Sequence, residues 1–371
     1  MSLHIGVDAW NLPGDQRGIG RYTRALLRCW AGYGRNVSVT LIIPEWPPLI
    51  HAQRYRNELG GLSFPIIHRN AATARSFDLV WFPWNGMSWI PPGIAVATLH
   101  DASLFAMPPE NADVREREQR PFRVAAATAA HIITDSYFSK GELSRYLNLE
   151  PDRIDVVHLG VDPVRVAPGE PTVAYPYVLF VGETESRKGV DLLEAALAKL
   201  HDPPMLVIAG RRTGSDQSAV GDGGKAAPNA RIQYLGHVSE TMLASLYAHA
   251  RVVVYPSRYE GFGLPILEAM AYGAPVISSD AAGMPEAGGD AALYFPSGDI
   301  SALANALELV LREDDLADNL RELGHRRAAS MTWDVTASQT IGIFERALAS
   351  SKRRAVATTA ASDAQPTLAH H

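Results

Sequence analysis

The feature that most constrains this chain is a regular alternation of short apolar runs with amphipathic segments. Apolar runs cover residues 5–7, 37–43, 79–82, 95–99, 131–134 and 155–158, and helical patterns cover 21–32, 113–129 and 139–147. The alternation restarts with apolar runs at 177–181, 205–209, 232–235, 252–254 and 275–278 and helical patterns at 190–200, 239–249, 265–272 and 300–311. Strands that are separated by helices form parallel sheets with helices on both faces. The sequence therefore predicts two doubly wound α/β domains.

The boundary between the two series is a stretch rich in proline and glycine at residues 165–176, which is typical of a linker. We therefore place an N-terminal domain at residues 1–168 and a C-terminal domain at residues 177–331. A further helical segment covers 332–349, and the Ala- and Thr-rich residues 350–371 are predicted to be a disordered tail. Two such domains in tandem predict a cleft between them, with ligands at the carboxyl ends of the strands.

Composition narrows the class of protein. A chain of 371 residues, 47% of them hydrophobic, can bury two cores, and its single cysteine excludes a disulfide framework and fits a reducing cytoplasm. The net charge of −6 gives no electrostatic reason to bind nucleic acid. Residues 171–371 carry that whole imbalance. An anion bound in the C-terminal half must therefore be held by local cations and backbone amides.

The stretch 79–99 contains no Asp, Glu, Lys or Arg, and its 21 residues would be long enough for a transmembrane helix. Three prolines within it, Pro83, Pro91 and Pro92, break any helix there. The first ten residues also lack the basic and apolar regions of a signal peptide. The sequence predicts a cytoplasmic protein without a membrane span.

The most informative segment follows the apolar run 252–254. It contains Glu260, Gly263, Leu264, Pro265 and Glu268. Pro265 marks the first turn of a helix, whose free amides, beside glycines that allow close approach, suit a phosphate. Two carboxylates near a phosphate repel it unless they accept hydrogen bonds from hydroxyl groups, which a sugar supplies. The alternative is that Glu260 caps the helix and Glu268 faces solvent.

A second loop lies between the apolar run 177–181 and the helical pattern 190–200. It begins at Gly182 and contains Arg187 and Lys188, one of five lysines in the chain. Two adjacent cations that face a diphosphate would stabilise it as a leaving group. The alternative is an exposed basic pair at the start of a helix.

Two weaker signals lie in the N-terminal half. Gly18-Ile19-Gly20 follows the first predicted strand, but it lacks the third glycine and the acidic residue of the dinucleotide fingerprint. We interpret Gly18 and Gly20 as a turn that presents amides into the cleft. His100 follows the apolar run 95–99, where a parallel sheet places functional groups, although a purely structural histidine is the alternative.

Taken together, these segments resemble the retaining glycosyltransferases of family 4 over residues 5–349. The most specific element is Glu-x(7)-Glu, from Glu260 to Glu268. Further matches lie at 134–140, 157–162, 235–238, 282–286 and Trp333. The resemblance implies an α/β GT-B fold of two Rossmann-like domains that face a cleft, with the helix from Trp333 crossing back onto the N-terminal domain.

The resemblance also implies roles for individual residues. Arg187 and Lys188 hold the donor diphosphate, Glu268 accepts from the ribose hydroxyls, and Glu260 contacts the donor sugar. Backbone at Gly182, Gly263, Leu264 and Pro265 binds the donor, Gly18 and Gly20 line the cleft from the other side, and His100 approaches the sugar. One departure is Glu183, which stands where many members have an arginine.

The implied reaction transfers a hexose, with retention of configuration, from a nucleoside diphosphate to an acceptor hydroxyl in bacterial polysaccharide or glycoconjugate synthesis. The loop 183–188 resembles that of bacterial mannosyltransferases, which favours GDP-mannose. The resemblance also implies that residues 177–331 bind the donor and that residues 1–168 bind the acceptor, which is expected to be a saccharide or lipid-linked saccharide. Peripheral contact with the inner membrane face therefore stays open. No metal-binding motif is present in the sequence, and we expect neither a metal nor another cofactor.

Other function classes stay open from the sequence. A glycoside hydrolase could use Glu260 and Glu268 but would leave the Arg187-Lys188 loop unexplained. A nucleotide-sugar epimerase of similar architecture would need no acceptor, and a dinucleotide-dependent oxidoreductase is disfavoured by the incomplete fingerprint. A non-catalytic nucleotide-sugar-binding module would release no nucleoside diphosphate when the acceptor is added.

Overall fold

The chain forms two compact units, each with its own parallel sheet. A computed structural model describes residues 2–363 apart from 16–17, 45–47, 73–76, 163, 165–166, 171–172, 174–175 and 214–230. Unit 1 comprises Met1–Asp135, Lys140–Val157 and Asp334–His371, and unit 2 comprises Ser136–Ser139 and His158–Trp333. The predicted linker at 165–176 lies partly outside the described residues.

Unit 1 is built on seven parallel strands. They are β1 (Leu3–Asp8), β2 (Val37–Ile43), β3 (Ile66–His68), β4 (Leu79–Phe82), β5 (Ala95–Thr98), β6 (His131–Thr134) and β7 (Ile154–Val156), in the sheet order β3-β2-β1-β4-β5-β6-β7. The helices are α1 (Gly18–Ala31), α2 (Pro48–Glu58), α3 (Arg69–Ala72), α4 (Ser103–Ala106), α5 (Ala112–Thr128) and α6 (Tyr137–Leu147). The stretch 79–99 therefore forms two buried strands and a loop, as expected from its prolines.

Unit 2 repeats this plan. Its strands are β8 (Tyr177–Val181), β9 (Met205–Ala209), β10 (Ile232–Gly236), β11 (Val252–Tyr255), β12 (Val276–Ser279) and β13 (Leu293–Phe295), in the order β10-β9-β8-β11-β12-β13. The helices are α7 (Val190–Leu197), α8 (Glu240–His249), α9 (Leu264–Ala271), α10 (Met284–Gly288), α11 (Ile300–Arg312) and α12 (Asp314–Ser330). Apolar side chains of β8, β9 and β11 pack with those of α7 and α11 in one buried core. The prediction of two doubly wound α/β domains is confirmed.

The last helix, α13 (Trp333–Asp363), belongs to unit 1 from Asp334 onward. Phe344 is fully buried there, with ring centroids 5.8 Å from Trp30 and 6.0 Å from Trp81. The Trp30 indole also donates to the carbonyl of Ala337 at 3.2 Å. An aromatic cluster therefore fastens the C-terminal helix to the sheet of unit 1.

The helix α13 is longer than the sequence pattern indicates. We expected it to end at residue 349 and to be followed by a disordered tail, but it continues to Asp363. Alanine, lysine and arginine in this extension are good helix formers, so a loss of amphipathic pattern does not end the helix. Residues 364–371 of the predicted tail lie outside the described residues.

None of the helices in the described part of the chain combines the length and the apolar character needed to span a bilayer.

Candidate active site

The strand order of unit 2 reverses between β8 and β11. The chain adds β9 and β10 on one side of β8 and then adds β11 on the other side. In open parallel sheets, ligands bind at the carboxyl ends of the two strands that flank such a switch point. The loop after β8 carries Gly182, Arg187 and Lys188, and the loop after β11 carries Glu260 and Gly263. This edge of unit 2 is therefore the candidate active site.

Gly189 brings these two loops together. It has a φ of +70°, and a Cβ atom at this position would lie 2.1 Å from the carbonyl oxygen of Pro256. Only glycine allows both the left-handed conformation and this close approach. The amide of Arg258 then donates to the carbonyl of Arg187 at 2.7 Å. The turn Ser186–Lys188 is thereby held against the loop after β11.

Arg187 and Lys188 both form ion pairs with Glu260. The Arg187 Nη1 lies 3.2 Å from Glu260 Oε2, and the Lys188 ammonium pairs with Oε1 of the same carboxylate. Arg187 Nε also lies 2.6 Å from Glu185 Oε2. The side chains of Arg187, Lys188 and Glu260 are 28%, 16% and 17% exposed. The site thus holds two ordered cations that a diphosphate could bind by replacing carboxylate oxygens.

The start of α9 supplies backbone donors beside these cations. Gly263 caps the helix with a φ of +108°, Leu264 is its first residue, and Pro265 follows in the first turn. The first amides of a helix have no intrahelical acceptor, and they favour an anion. Lys188, Glu260, Gly263 and Pro265 line one small cavity. The structure therefore brings these four predicted residues together.

Glu268 and Gly182 lie at the edges of this arrangement. Glu268 is half-buried on α9, one turn beyond Leu264, so its position is compatible with contact to a ligand at the helix start. Gly182 directly follows β8, and its amide donates to the carbonyl of Ala209 at 2.9 Å. The neighbouring Glu183, which departs from the family pattern, pairs with Arg211. Its negative charge is thus compensated by a cation from the segment after β9.

Sequence reasoning missed a hydroxyl pair that holds the loop after β11. Ser136 and Ser139 both donate to the carbonyl of Gly261, at 2.5 and 3.1 Å, and both serines are buried. Gly261 directly follows Glu260 in the chain. These two hydrogen bonds therefore position the backbone that carries the Glu260 carboxylate.

Glu286 completes the support of this loop. Its carboxylate accepts from the amides of Tyr137 and Phe138 at 2.7 and 2.8 Å and from His158 Nε2 at 3.0 Å. Although partial burial opposes ionisation, the hydrogen bonds from His158 and the two amides lower the pKa of Glu286. The His158 ring in turn stacks on Phe262 at 5.4 Å. Residues around this loop therefore come from three segments that match the family 4 pattern but had no assigned role, namely 134–140, 157–162 and 282–286. The match of all three segments to that pattern was the sequence signal for this part of the site.

Gly18 and Gly20 lie in unit 1, at the start of α1. Gly18 is exposed, whereas Gly20 is buried against the turn that precedes the helix. A Cβ atom at Gly20 would lie 1.8 Å from the carbonyl oxygen of Asp15. The structure accounts for Gly20 by this close approach of the backbone, and a role of either glycine toward a ligand stays a prediction.

His100 also lies in unit 1, and protein atoms engage both of its ring nitrogens. Nδ1 lies 2.7 Å from Asp135 Oδ2, and Nε2 lies 3.1 Å from the carbonyl oxygen of Pro83. Burial disfavours the imidazolium, but the Asp135 carboxylate and these hydrogen bonds raise the pKa of His100. This environment favours the structural alternative. The role of His100 toward the sugar stays a prediction, because such contact requires one ring nitrogen to change its partner.

Two family models match the chain, one in each half. A model described as Glycosyltransferase Family 4 matches residues 16–165, and one described as Glycosyl transferases group 1 matches residues 169–327.

Two curated proteins are similar to this chain over more than half of its length. The O-antigen chain mannosyltransferase B of Escherichia coli is 33% identical over 267 residues, which cover 68% of this chain and 70% of that protein. The MMP alpha-(1->4)-mannosyltransferase of Mycolicibacterium hassiacum is 31% identical over 240 residues, which cover 61% of this chain and 54% of that protein. Both names describe mannosyltransferases.

Among solved structures, a sucrose-phosphate synthase from Thermosynechococcus elongatus superposes with a TM-score of 0.70 at 20% identity, over 94% of this chain and all of that one. At this identity the likeness is one of fold.

Proposed function

The chain belongs to family 4 of the glycosyltransferases and has their α/β GT-B fold, and from this premise we propose that it transfers mannose from GDP-mannose to a saccharide hydroxyl. The acceptor is a free or lipid-linked saccharide of bacterial polysaccharide or glycoconjugate synthesis. Similarity to the O-antigen chain mannosyltransferase B and to a second mannosyltransferase supports the sugar.

The observation that carries the proposal is the pairing of Arg187 and Lys188 with Glu260 beside the start of α9. The two cations and the helix amides suit the diphosphate, and Glu260 becomes available to sugar hydroxyls when the phosphate oxygens replace it. Such fixed charges stabilise a leaving group without reorganisation during the reaction.

In the proposed reaction, the bond between the anomeric carbon and the diphosphate oxygen breaks while a bond to the acceptor oxygen forms on the same face. The acceptor proton passes to an oxygen of the departing diphosphate, and the configuration of the sugar is retained. Arg187 and Lys188 stabilise the charge that develops on the diphosphate. The remaining acceleration comes from holding the donor and the acceptor close together in the orientation that the reaction requires.

The decisive experiment is a thermal-shift screen against GDP-mannose, UDP-glucose, ADP-glucose and dTDP-glucose. A ligand that binds only the native state raises the melting temperature. We expect GDP-mannose to give the largest rise and to release GDP when an acceptor saccharide is added. A rise without GDP release would instead indicate a binding module, and an altered sugar nucleotide without acceptor would indicate an epimerase. No rise with any of the four donors would contradict the proposal.

We further propose that transfer needs no metal ion or other cofactor, since two protein cations lie where the diphosphate is expected. Activity should then be unchanged in EDTA. Complete loss that Mn²⁺ restores would contradict this part of the proposal alone.

We propose a cytoplasmic location, and peripheral membrane contact is the open point. Arg115, Arg117, Arg120 and Arg123 lie on α5, but Arg123 pairs with Glu116 and Arg117 lies near Glu118. A helix surface of mixed charge offers a weak attraction to anionic lipids. Absence of co-flotation with anionic liposomes at low salt would exclude the contact.

A further inference from the structure

Arg258 lies two residues before Glu260 in the loop after β11, and the proposed transfer gives it no role. Its Nη1 and Nη2 atoms lie 2.9 and 2.6 Å from the two carboxylate oxygens of Asp191, which is in the first turn of α7. Nη1 also donates to the carbonyl oxygen of Ser186 at 2.6 Å. Arg258 therefore makes a bidentate ion pair with Asp191 and a further hydrogen bond to the backbone of the loop after β8.

Arg258 thus fixes the segment 186–191 at three points. Its guanidinium holds the carbonyl of the first residue of this segment and the carboxylate of the last, and its backbone amide donates to the carbonyl of Arg187 at 2.7 Å. Arg187 and Lys188 both lie between the outer two points. The backbone that carries both cations is therefore held from the loop that carries Glu260.

Stability of the fold does not account for this ion pair. The side chains of Arg258 and Asp191 are 38% and 65% exposed, and exposed ion pairs contribute little to the free energy of unfolding. The hydrogen bonds from Arg258 lower the pKa of Asp191, so the carboxylate is ionised at neutral pH. A bidentate pair of this kind adds geometric specificity, because two parallel hydrogen bonds fix both the distance and the direction of the carboxylate. The pair is therefore suited to orienting the segment 186–191.

The orientation of this segment matters because both cations of the proposed donor site extend from it. Lysine and arginine have long, flexible side chains, and each loses rotamer freedom when it binds an anion. A backbone that is already fixed leaves less freedom to be lost on binding. It also keeps both charges within reach of one small ligand.

We propose that Arg258 and Asp191 are a positioning pair of the donor site. By fixing the segment 186–191, the pair lets Arg187 and Lys188 reach the same diphosphate. Neither member of the pair is assigned contact with the donor. The inference rests on the proposed function, since a bound diphosphate is its premise.

Asp191→Asn gives the sharpest test, because positioning and simple electrostatics predict opposite results. Loss of a negative charge near an anion site strengthens anion binding by Coulomb's law alone. Loss of a positioning contact weakens it instead. We expect Asp191→Asn to raise the Kd for GDP by about three- to five-fold in isothermal titration calorimetry of the full chain, the range for an exposed but bidentate pair.

A double variant tests whether the two residues act together. Arg258→Gln also loses the hydrogen bond to Ser186, so we expect it to raise the Kd for GDP by about five- to ten-fold. Adding Asp191→Asn to Arg258→Gln should cause no further rise, because the contact between them is already lost. Asp191→Glu keeps a carboxylate at this position and should restore most of the affinity.

Asp315→Asn is the matched control. Asp315 is also an exposed aspartate in the first turn of a helix of unit 2, namely α12, so its replacement removes the same favourable charge at a helix N-terminus. We expect this variant to bind GDP as the wild-type chain does. Urea unfolding of each variant measures stability separately, since a merely structural role would lower the free energy of unfolding and leave the Kd of the folded protein unchanged.

Three results would overturn the inference. They are a Kd of Asp191→Asn equal to or below that of the wild type, additive rises in the double variant, and an equal rise in Asp315→Asn. If Arg258→Gln does not fold, Asp191→Asn and Asp191→Glu still decide the question, because they alter only the exposed end of the pair. Absence of GDP binding by the wild-type chain would instead contradict the proposed function itself, so the two failures are distinguishable.

Discussion

At the scale of single residues, the ion pairs of Glu260 set the charge of the candidate active site before any ligand arrives. Lys188 and Arg187 both pair with the carboxylate of Glu260, and the carboxylate of Glu185 also pairs with Arg187. Each cation is therefore oriented, but its charge is already balanced. A diphosphate can compete for these cations because its oxygens form the same kind of charge-assisted bond as a carboxylate and it carries more negative charge.

Lys188→Ala and Glu268→Ala should each lower turnover by about 10²-fold or more while the chain still folds, because each removes a group that the proposed function assigns to donor binding. Measured rates of GDP release with saturating acceptor check this. Lys199→Ala is the control, since Lys199 is an exposed lysine of the same unit whose ammonium donates to the Ser301 hydroxyl at 2.9 Å. Rates near wild type in both site variants would reject the assignment of the site.

Asp8 makes a distinct prediction about pH. Burial raises the pKa of Asp8 from 3.8 to about 7, although the Trp89 hydrogen bond and the Arg69 charge oppose this. The native state therefore holds a proton that the unfolded state releases near pH 4. Stability should fall as pH rises from about 4 to about 7, by on the order of 4 kcal/mol, and the fall should end above pH 7.

Asp8→Asn isolates this effect because asparagine has the same shape and no titration. The difference in unfolding free energy between Asp8→Asn and the wild type should increase in favour of the variant over this pH range. Urea unfolding at several pH values measures it. Parallel stability curves for the two proteins would show that Asp8 stays ionised in the native state.

At the scale of elements, the turn at Gly189 decides whether the two loops of the site meet. An alanine there would require a left-handed backbone and would place Cβ 2.1 Å from the Pro256 carbonyl oxygen. We expect Gly189→Ala to destabilise the protein by on the order of 3 kcal/mol and to reduce nucleotide binding. Chemical denaturation and the thermal shift with GDP-mannose check both effects.

Gly141→Ala provides the contrast. Gly141 lies inside α6, and a Cβ atom there would meet nothing within 4 Å. Replacing a helical glycine by alanine usually stabilises a protein by about 0.5–1 kcal/mol. A Gly189→Ala variant that is as stable as the wild type or as Gly141→Ala would contradict the role of the turn.

Most elements could be predicted from the sequence, because runs of four or more residues that are rich in apolar side chains form the buried strands. The runs at 37–43, 79–82 and 131–134 coincide with β2, β4 and β6. The pattern missed β3 and β13, which have three residues each at an edge of their sheets. A strand of three residues at the edge of a sheet carries an apolar pattern that is too short to be distinguished from a loop.

The helix α12 was missed for a different reason. Its buried positions are Ala317, Leu320, Gly324 and Ala328, which are mostly small residues among many charged ones. They have helical spacing but little hydrophobic contrast, so the periodic signal is weak.

The candidate site was only partly predictable. Local motifs identified Arg187, Lys188 and Glu260, because glycines, prolines and charges mark loops at strand ends. The contact of Glu286 with the amides of Tyr137 and Phe138 spans almost 150 positions in the chain. No local spacing encodes such a contact, since it depends on the tertiary packing of segments of unit 2 that lie far apart in the chain.

At the scale of the whole molecule, the stability of unit 1 depends on a segment far along the chain. Phe344 on α13 is fully buried against Trp30 and Trp81. Phe344→Ala should therefore destabilise the protein by about 3–5 kcal/mol, through lost burial and the cavity left behind. Urea denaturation followed by tryptophan fluorescence measures the change directly in the affected cluster.

Glu345→Ala is the control for this variant, because Glu345 is the next residue on the same helix and is exposed. We expect a change within about 0.5 kcal/mol. A similar small effect of Phe344→Ala would show that α13 contributes little to unit 1.

The return of α13 also sets an order of events on the ribosome. Unit 2 consists of the continuous stretch 158–333 and the four earlier residues Ser136–Ser139, so it has nearly all of its contacts as soon as that stretch emerges. Unit 1 begins earlier but waits for Asp334 and the residues after it, and until then the surface around Trp30 and Trp81 lacks its cover. The first half of the chain to be translated is thus the last to mature, and during that interval its uncovered tryptophans are a natural target for chaperones.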